Sequence, residues 1–229
     1  DYDEEMIEKF DALSAEKGFP KKLREILPRV LSAGEKAGVL TKEGALLLDP
    51  SGTLEAGIPL CPPEGDAGTG MAATNSVAPR TGNVSAGTSI FSMVVLERPL
   101  KGVYPEIDMV TTPDGHPVAM VHCNNCTSDI NAWAELLIGF AKSLGVSCTM
   151  PQALDAIFYS AKEAAADCGG VVSIGYLSGE PVTGFDEGRP LVLRKPDAAL
   201  SFPAFSRSLL SSAVAALAIG MKILSEKEK

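Results

Sequence analysis

Two short stretches hold the residue types from which a reactive site is built. Glu64-Gly65-Asp66-Ala67-Gly68-Thr69-Gly70-Met71 sets a lone carboxylate among glycines at the head of a small-residue run that reaches Val77. Gly82-Asn83-Val84-Ser85-Ala86-Gly87-Thr88-Ser89-Ile90 then frames a Gly-Thr-Ser turn with apolar positions on both sides. The small-residue run suits a helix packed closely on a neighbour, which puts Asp66 at or beside an N-cap, where a helix end favours an anion. The second stretch reads as strand, tight turn, strand. Gly87 lets backbone approach a ligand, and Thr88 and Ser89 bring the hydroxyls and N–H groups that a phosphate oxygen needs. A carboxylate able to take a proton from an alcohol, one hairpin away from a phosphate cradle, is the equipment of phosphoryl transfer. Taken singly, each piece has a plainer use, the Asp as a helix cap and the Gly-Thr pair as a hairpin turn.

In this order the two stretches resemble the FGGY family of carbohydrate kinases, in which a glycine-flanked Asp ends the first domain and a Gly-Thr-Ser hairpin opens the second. Tyr176-Leu177-Ser178-Gly179-Glu180-Pro181 with Asp186-Glu187-Gly188-Arg189 resembles the family's Leu-Ser-Gly-Glu-Arg loop, so the likeness spans most of the chain. It implies an α/β fold, part of the actin-like ATPase architecture built on ribonuclease-H-like domains. Residues 1–80 would end the sugar-binding first domain and 81–229 would start the nucleotide-binding second, with the boundary between Val77 and Gly82. It implies transfer of the γ-phosphoryl group of ATP to a sugar or polyol hydroxyl. Asp66 would be the general base, Asp66 and Ala67 would lie beside the sugar, and Gly87, Thr88 and Ser89 would hold the nucleotide phosphates. Thr127 and Asn131 align with family positions that reach toward the nucleotide, although Thr127 serves equally as a helix cap. Magnesium (Mg2+) is expected beside ATP, yet no cluster in the chain must bind it, and family members are often homodimers.

Departures from the family pattern also bear on function. Glu64-Gly65-Asp66-Ala67 stands where many members carry Gly-Gly-Asp-Asn, which keeps the Asp and removes an amide that could orient a sugar hydroxyl. No Asp-x-Gly-Thr turn lies near the start and no glycine-rich adenine loop near the end, so the chain reads as the middle of a kinase, inactive or nearly so by itself. The sugar stays open among ketopentoses, ketohexoses and polyols. Two other functions keep part of the pattern: a nucleotide hydrolase or acid kinase of the same superfamily, with Asp66 positioning water in the hydrolase, and a non-catalytic sugar-sensing module.

Composition narrows the classes. With 45% hydrophobic residues in 229, a sizeable core is available, and a formal charge of −9 argues against a nucleic-acid or anionic-membrane surface. The N-terminal run has no signal-peptide pattern, and no segment reads as long and uncharged enough to cross a bilayer, which together suggest a soluble, cytoplasmic protein. Five cysteines, Cys61, Cys123, Cys126, Cys148 and Cys168, form an odd set suited to reduced thiols. His122-Cys123-Asn124-Asn125-Cys126 could seed a zinc site but lacks a second half-site, and small buried cysteines are ordinary core residues.

The elements that must position these residues follow from periodicity. Helices are expected over Asp1 to Lys17, in two pieces around Pro28, from Ser128 to Leu144 with Thr127 or Ser128 as cap, from Pro151 to Cys168, and from Ala204 to Leu224. The family likeness adds Thr41 to Leu48. Strands are expected on both sides of Gly87-Thr88, on both sides of Pro113-Asp114-Gly115, and as a buried strand from Val171 to Leu177. Trp133 sits on an apolar helix face and reads as core, His116 as solvated, and Glu180, Asp186 and Arg189 as ion-pairing groups of an exposed loop.

Overall fold

The computed structural model describes residues 2–228. The chain forms two compact units, Asp1–Gly65 and Asp66–Lys229. The first holds helix α1 (Glu4–Glu16), the single turn α2 (Leu23–Ile26), a two-residue strand pair β1 (Gly38–Val39) and β2 (Pro59–Leu60), and α3 (Lys42–Leu48) between them. Asp3 caps α1 by accepting from Met6 N, and Thr41 caps α3 by accepting from Gly44 N, each satisfying an otherwise unpaired first-turn donor. The expected second helical piece after Pro28 does not form. Leu27 is already extended, as a residue before proline must be, and Gly34 at φ +89 breaks the remainder.

The second unit begins with α4 (Asp66–Ala73), shorter than the run that suggested it, because Asn75 turns to φ 53 and Ser76 N folds back onto the Met71 carbonyl. Strands β3 (Gly82–Ala86), β4 (Ile90–Val95), β5 (Asp108–Thr111) and β6 (Pro117–Cys123) make an antiparallel sheet in the order β3-β4-β6-β5. The β5–β6 turn falls at Pro113-Asp114-Gly115, with Gly115 at φ +95 and Asp114 accepting from Thr112 Oγ1. β4 and β6 carry near-continuous apolar runs because both of their faces are covered. Met93, Val95 and Val118 pack with Met71 of α4 on one face, while Ile90, Ala119, Val121 and Cys123 face the other way.

That other face is covered by α7 (Phe202–Lys227), capped by Ser201, whose Ala216, Leu217 and Leu224 enter the same core. Before it come α5 (Thr127–Ser143), α6 (Met150–Ser160) and a hairpin of β7 (Val171–Ile174) with β8 (Leu191–Arg194). Ile130, Ala134, Ala153, Ile157 and Leu209 join α5, α6 and the first half of α7 in a second core, where Trp133 meets Phe205 edge-on at 4.7 Å. At 26 residues, about 39 Å at 1.5 Å per residue, α7 is long enough to serve both cores.

Several expectations change. α6 stops at Ser160, where the chain tightens into a 3-10 turn over Ala161–Glu163 and becomes extended at Ala164; Asp167 then caps a separate turn whose Gly169 and Gly170 both have positive φ. β7 ends at Ile174 because Gly175 N donates to Ser212 Oγ instead of to a strand, and its β8 partner went unread; β7 is buried on one side only. The expectation that no segment could span a bilayer fails for α7, which qualifies by length and composition. A core helix of a soluble protein meets the same test, and α7 places Leu209, Leu217 and Leu224 in packed cores.

The approach of α7 to the sheet depends on Gly220, where a Cβ would fall 2.3 Å from Val121 Cγ1. Val121 is fully buried in a central strand and cannot yield. Gly220→Val, with a helix propensity similar to that of Gly, should therefore destabilise by about 1–3 kcal/mol or more, read as a lower thermal midpoint. Gly220→Ala combined with Val121→Ala should melt above the sum of the two single changes, because each removes the other's misfit.

Candidate active site

The turn Gly87-Thr88-Ser89 is held by its carbonyls. Thr127 donates to the Gly87 carbonyl through its N–H at 3.1 Å and its Oγ1 at 2.7 Å, and Cys126 N donates to the Thr88 carbonyl at 3.1 Å. Gly87 N is used inside the turn, donating to Ser89 O at 2.8 Å. A trans peptide points its N–H away from its C=O, so pinning the carbonyls of 87 and 88 aims the N–H groups of Thr88 and Ser89 outward. Among the described residues these two N–H groups, and the hydroxyls of Thr88 and Ser89, have no protein hydrogen-bond partner. Four donors thus stand on adjacent residues, with Gly87 and Thr88 exposed, the kind of donor set that an anion can accept from.

Thr127 thus has a role different from the cap expected of it. The N-cap of α5 is Cys126, with no side-chain cap bond, and the Thr127 hydroxyl is spent on the Gly87 carbonyl. Asn131, one turn further on, is exposed and makes no hydrogen bond to the turn among the described residues.

Asp66 is the first residue of α4 and is exposed, while Met71 of the same helix is fully buried and anchors it to the sheet. Asp66 and Ala67 border a pocket of about 170 Å³ whose other walls are Gly70, Asn83, Ser85 and Phe91. α4 lies close to β3 there, since a Cβ on Gly70 would stand 3.7 Å from Asn83 Nδ2. Asn83 Oδ1 is buried without a partner among the described residues, an orphaned acceptor in the wall of the carboxylate's own pocket. The structure thus joins Asp66 and Ala67 to β3, the strand that leads into Gly87, and joins the turn separately to the start of α5.

Two carboxylates lie close to the start of α5. Asp129, in the first turn of α5, is 7% exposed, and burial raises its carboxyl above the ordinary range, with a hydrogen bond from Trp133 offsetting part of this. Gly175 admits it, because a Cβ there would meet Asp129 Oδ2 at 2.7 Å. Glu180, expected on an exposed loop, is instead wholly buried, and its Oε2 accepts from Asn124 N, Asn125 N and Asn125 Nδ2. Arg189 stays outside, paired with Glu187. The two asparagines of His122-Cys123-Asn124-Asn125-Cys126 stand ahead of a helix, where paired Asn is a loop-forming signal. Cys123 and Cys126 are free and buried; burial first, then the Glu180 charge and Cys126, pushes the Cys123 thiol up to about 12. Among the described residues no three His, Cys, Asp or Glu side chains converge as metal ligands.

A mixed sheet-and-helix unit of this kind has the actin-like ATPase fold. The fold is similar to those of a xylulose kinase from Rhodospirillum rubrum (TM-score 0.68, 18% identity, 88% of this chain and 38% of that one), a gluconate kinase from Lactobacillus acidophilus (0.64, 14%, 92% and 40%) and a Plasmodium falciparum glycerol kinase solved with ADP (0.65, 14%, 93% and 39%). The chain spans about two fifths of the length of these structures. No curated protein matches the sequence. The C-terminal domain of the FGGY family of carbohydrate kinases matches residues 82–229, and the chain belongs to that family.

The raised carboxyl of Asp129 yields a signed prediction. Its folded form holds a proton more tightly than the unfolded chain does, so its contribution to stability is complete below the ordinary Asp value and is lost as pH rises through the raised one. Asp129→Asn keeps an acceptor for Trp133 and removes the buried charge. It should melt above wild type at pH 7, and the gap should close as pH is lowered toward about 4; a gap independent of pH would show that burial of charge is not its origin.

Proposed function

We propose that this chain carries the acceptor-activating carboxylate and the phosphate cradle of an ATP-dependent carbohydrate kinase. The observation that carries this is the turn itself: two outward N–H groups and two hydroxyls at Thr88 and Ser89, aimed by carbonyls pinned from behind. Family membership supports the reaction class, phosphoryl transfer to an alcohol. The similar structures are named for xylulose, gluconate and glycerol, which supports an acceptor among ketoses, sugar acids and polyols. Residues 1–80 would belong to the sugar-binding domain and 81–229 to the nucleotide-binding one, in a cytoplasmic enzyme with access to ATP.

A sugar hydroxyl is a weak nucleophile. Asp66, exposed at the start of α4, would orient that hydroxyl and accept its proton as oxygen bonds to phosphorus, with Ala67 against the sugar. Charge on the transferring group stays spread over its three oxygens in a loose transition state, so donors held rigidly in place contribute more than a strong base. Gly87 leaves room for the phosphates to approach, and Thr88 and Ser89 donate to them. Thr127 supports the cradle through the Gly87 carbonyl, and Asn131 would reach toward the nucleotide from the exposed side of α5. Magnesium would arrive with ATP and offset phosphate charge; no residue of this chain is assigned to it. Ala67 has no amide to orient a sugar hydroxyl, and the Asn83 carboxamide lines the same pocket.

Titration with ATP and magnesium should shift the amide resonances of Thr88 and Ser89 before all others. In the polypeptide that carries this sequence, one class of polyhydroxy acceptor should stimulate ADP release, and Asp66→Asn should lower kcat by about 10²–10⁴-fold while nucleotide still binds. Release indifferent to every acceptor would favour a hydrolase, and an unchanged Asp66→Asn would return that residue to the role of a helix cap.

A further inference from the structure

The hydrogen bonds behind the turn do not stop at Thr127. Three donors of Asn124 and Asn125 converge on Glu180 Oε2, at 3.0, 3.3 and 3.1 Å. The Asn125 side chain then reaches the loop that carries Glu180: its Oδ1 accepts from Leu177 N at 2.9 Å, Ser178 N at 3.0 Å and Ser178 Oγ at 3.2 Å, and its Nδ2 donates to the carbonyls of Ser178 and Gly179. Glu180 closes the loop on itself, N donating to Phe185 O at 2.7 Å and O accepting from Phe185 N at 3.1 Å. The loop is wound too tightly for side chains at Gly179 and Gly188, since a Cβ on Gly179 would lie 2.5 Å from Asp186 O and one on Gly188 would lie 2.4 Å from Leu177 C.

Glu180 is wholly buried, and although its Oε1 has no hydrogen-bond partner among the described residues, its Oε2 spends every contact on the segment immediately before α5. The segment it holds, Asn124 to Thr127, is the one that pins the carbonyls of Gly87 and Thr88. We infer that Glu180 and Asn125 are positioning residues of the phosphate cradle: they fix the Asn124–Thr127 segment in the conformation that aims the Thr88 and Ser89 N–H groups outward. The Leu-Ser-Gly-Glu loop is thereby a brace for the turn on the neighbouring hairpin and not a set of surface ion pairs. Neither residue touches the phosphates; both act through Cys126 and Thr127. This role rests on the phosphate-cradle function proposed above.

Amide hydrogen exchange on the wild-type chain tests the brace directly. If it is one unit, the amides of Asn124, Asn125, Cys126, Thr127, Leu177 and Ser178 open together, with protection factors agreeing to within about threefold, because groups in one cooperative unit share one opening free energy. Leu177 and Ser178 exchanging roughly a hundredfold faster than Cys126 and Thr127 would mean that the loop opens independently, and would overturn the inference. Millimolar ATP with magnesium should slow exchange at Leu177 and Ser178 as well as at Cys126 and Thr127. If nucleotide changes nothing anywhere, the cradle function falls and the positioning role falls with it, an outcome told apart from a loose brace by the nucleotide-free data.

Two variants separate geometry from charge. Glu180→Gln keeps an oxygen where Oε2 stands, and its nucleotide affinity should stay within about threefold of wild type even where the melting temperature drops. Glu180→Asp keeps the charge and withdraws it by one methylene; affinity should fall at least about tenfold, with faster exchange at Cys126 and Thr127 and unchanged exchange at Met109 and Ala119 in the distant β5–β6 pair. Wild-type affinity and exchange in Glu180→Asp would overturn the inference, and if that variant does not fold, the wild-type exchange pattern decides the matter.

Discussion

A peptide group cannot direct its carbonyl and its N–H the same way, and the second unit of this protein is arranged around that constraint. With the carbonyls of Gly87 and Thr88 tied to the first turn of α5, the next two N–H groups have only one direction left, outward. The donors are held in place by hydrogen bonds within the protein, the preorganisation on which the proposed stabilisation of a phosphoryl group would depend. The β3–β4 hairpin register, the irregular entry to α5 at Cys126 (φ −148, ψ −94) and the wound loop at 177–188 all serve the same few hydrogen bonds.

Close approach is the second constraint, and glycine answers it where elements meet. Gly220 lets the longest helix lie on the central strand, Gly82 lets β3 pass Met93 O, and Gly175 leaves room for the Asp129 carboxylate. A side chain at any of these would strike backbone or a stiff buried group, so the positions are set by contact and not by backbone freedom. Met71 and Leu209 mark the opposite case, wholly enclosed side chains that fill what the glycines leave open.

Two buried carboxylates in this acidic chain show how differently burial can be handled. Glu180 receives three donors on one oxygen, whereas Asp129 sits in a closed space with the Trp133 indole and is held toward its neutral form. The first organises the backbone around it, and in the second burial favours the protonated form.

The elements with strong periodicity or turn chemistry were legible in the residues: α1, α5 and α7, the hairpin around Gly87-Thr88 and the one around Pro113-Asp114-Gly115. Their signals are local, because a helix face, a cap or a positive-φ glycine needs only its chain neighbours. Ends were less legible where a distant partner decided them, as when Ser212 takes the Gly175 amide and stops β7. The residue types of the proposed site, Asp66 and the Gly-Thr-Ser turn, are legible in the chain, and so is the family. What only the tertiary structure decided is how those groups are aimed and braced: that Thr127 is spent on a carbonyl, that Glu180 lies inside, and that Asn125 joins two loops more than fifty residues apart. Hydrogen bonds between segments so far apart leave no periodicity behind, and a buried glutamate looks the same in a sequence as a solvated one.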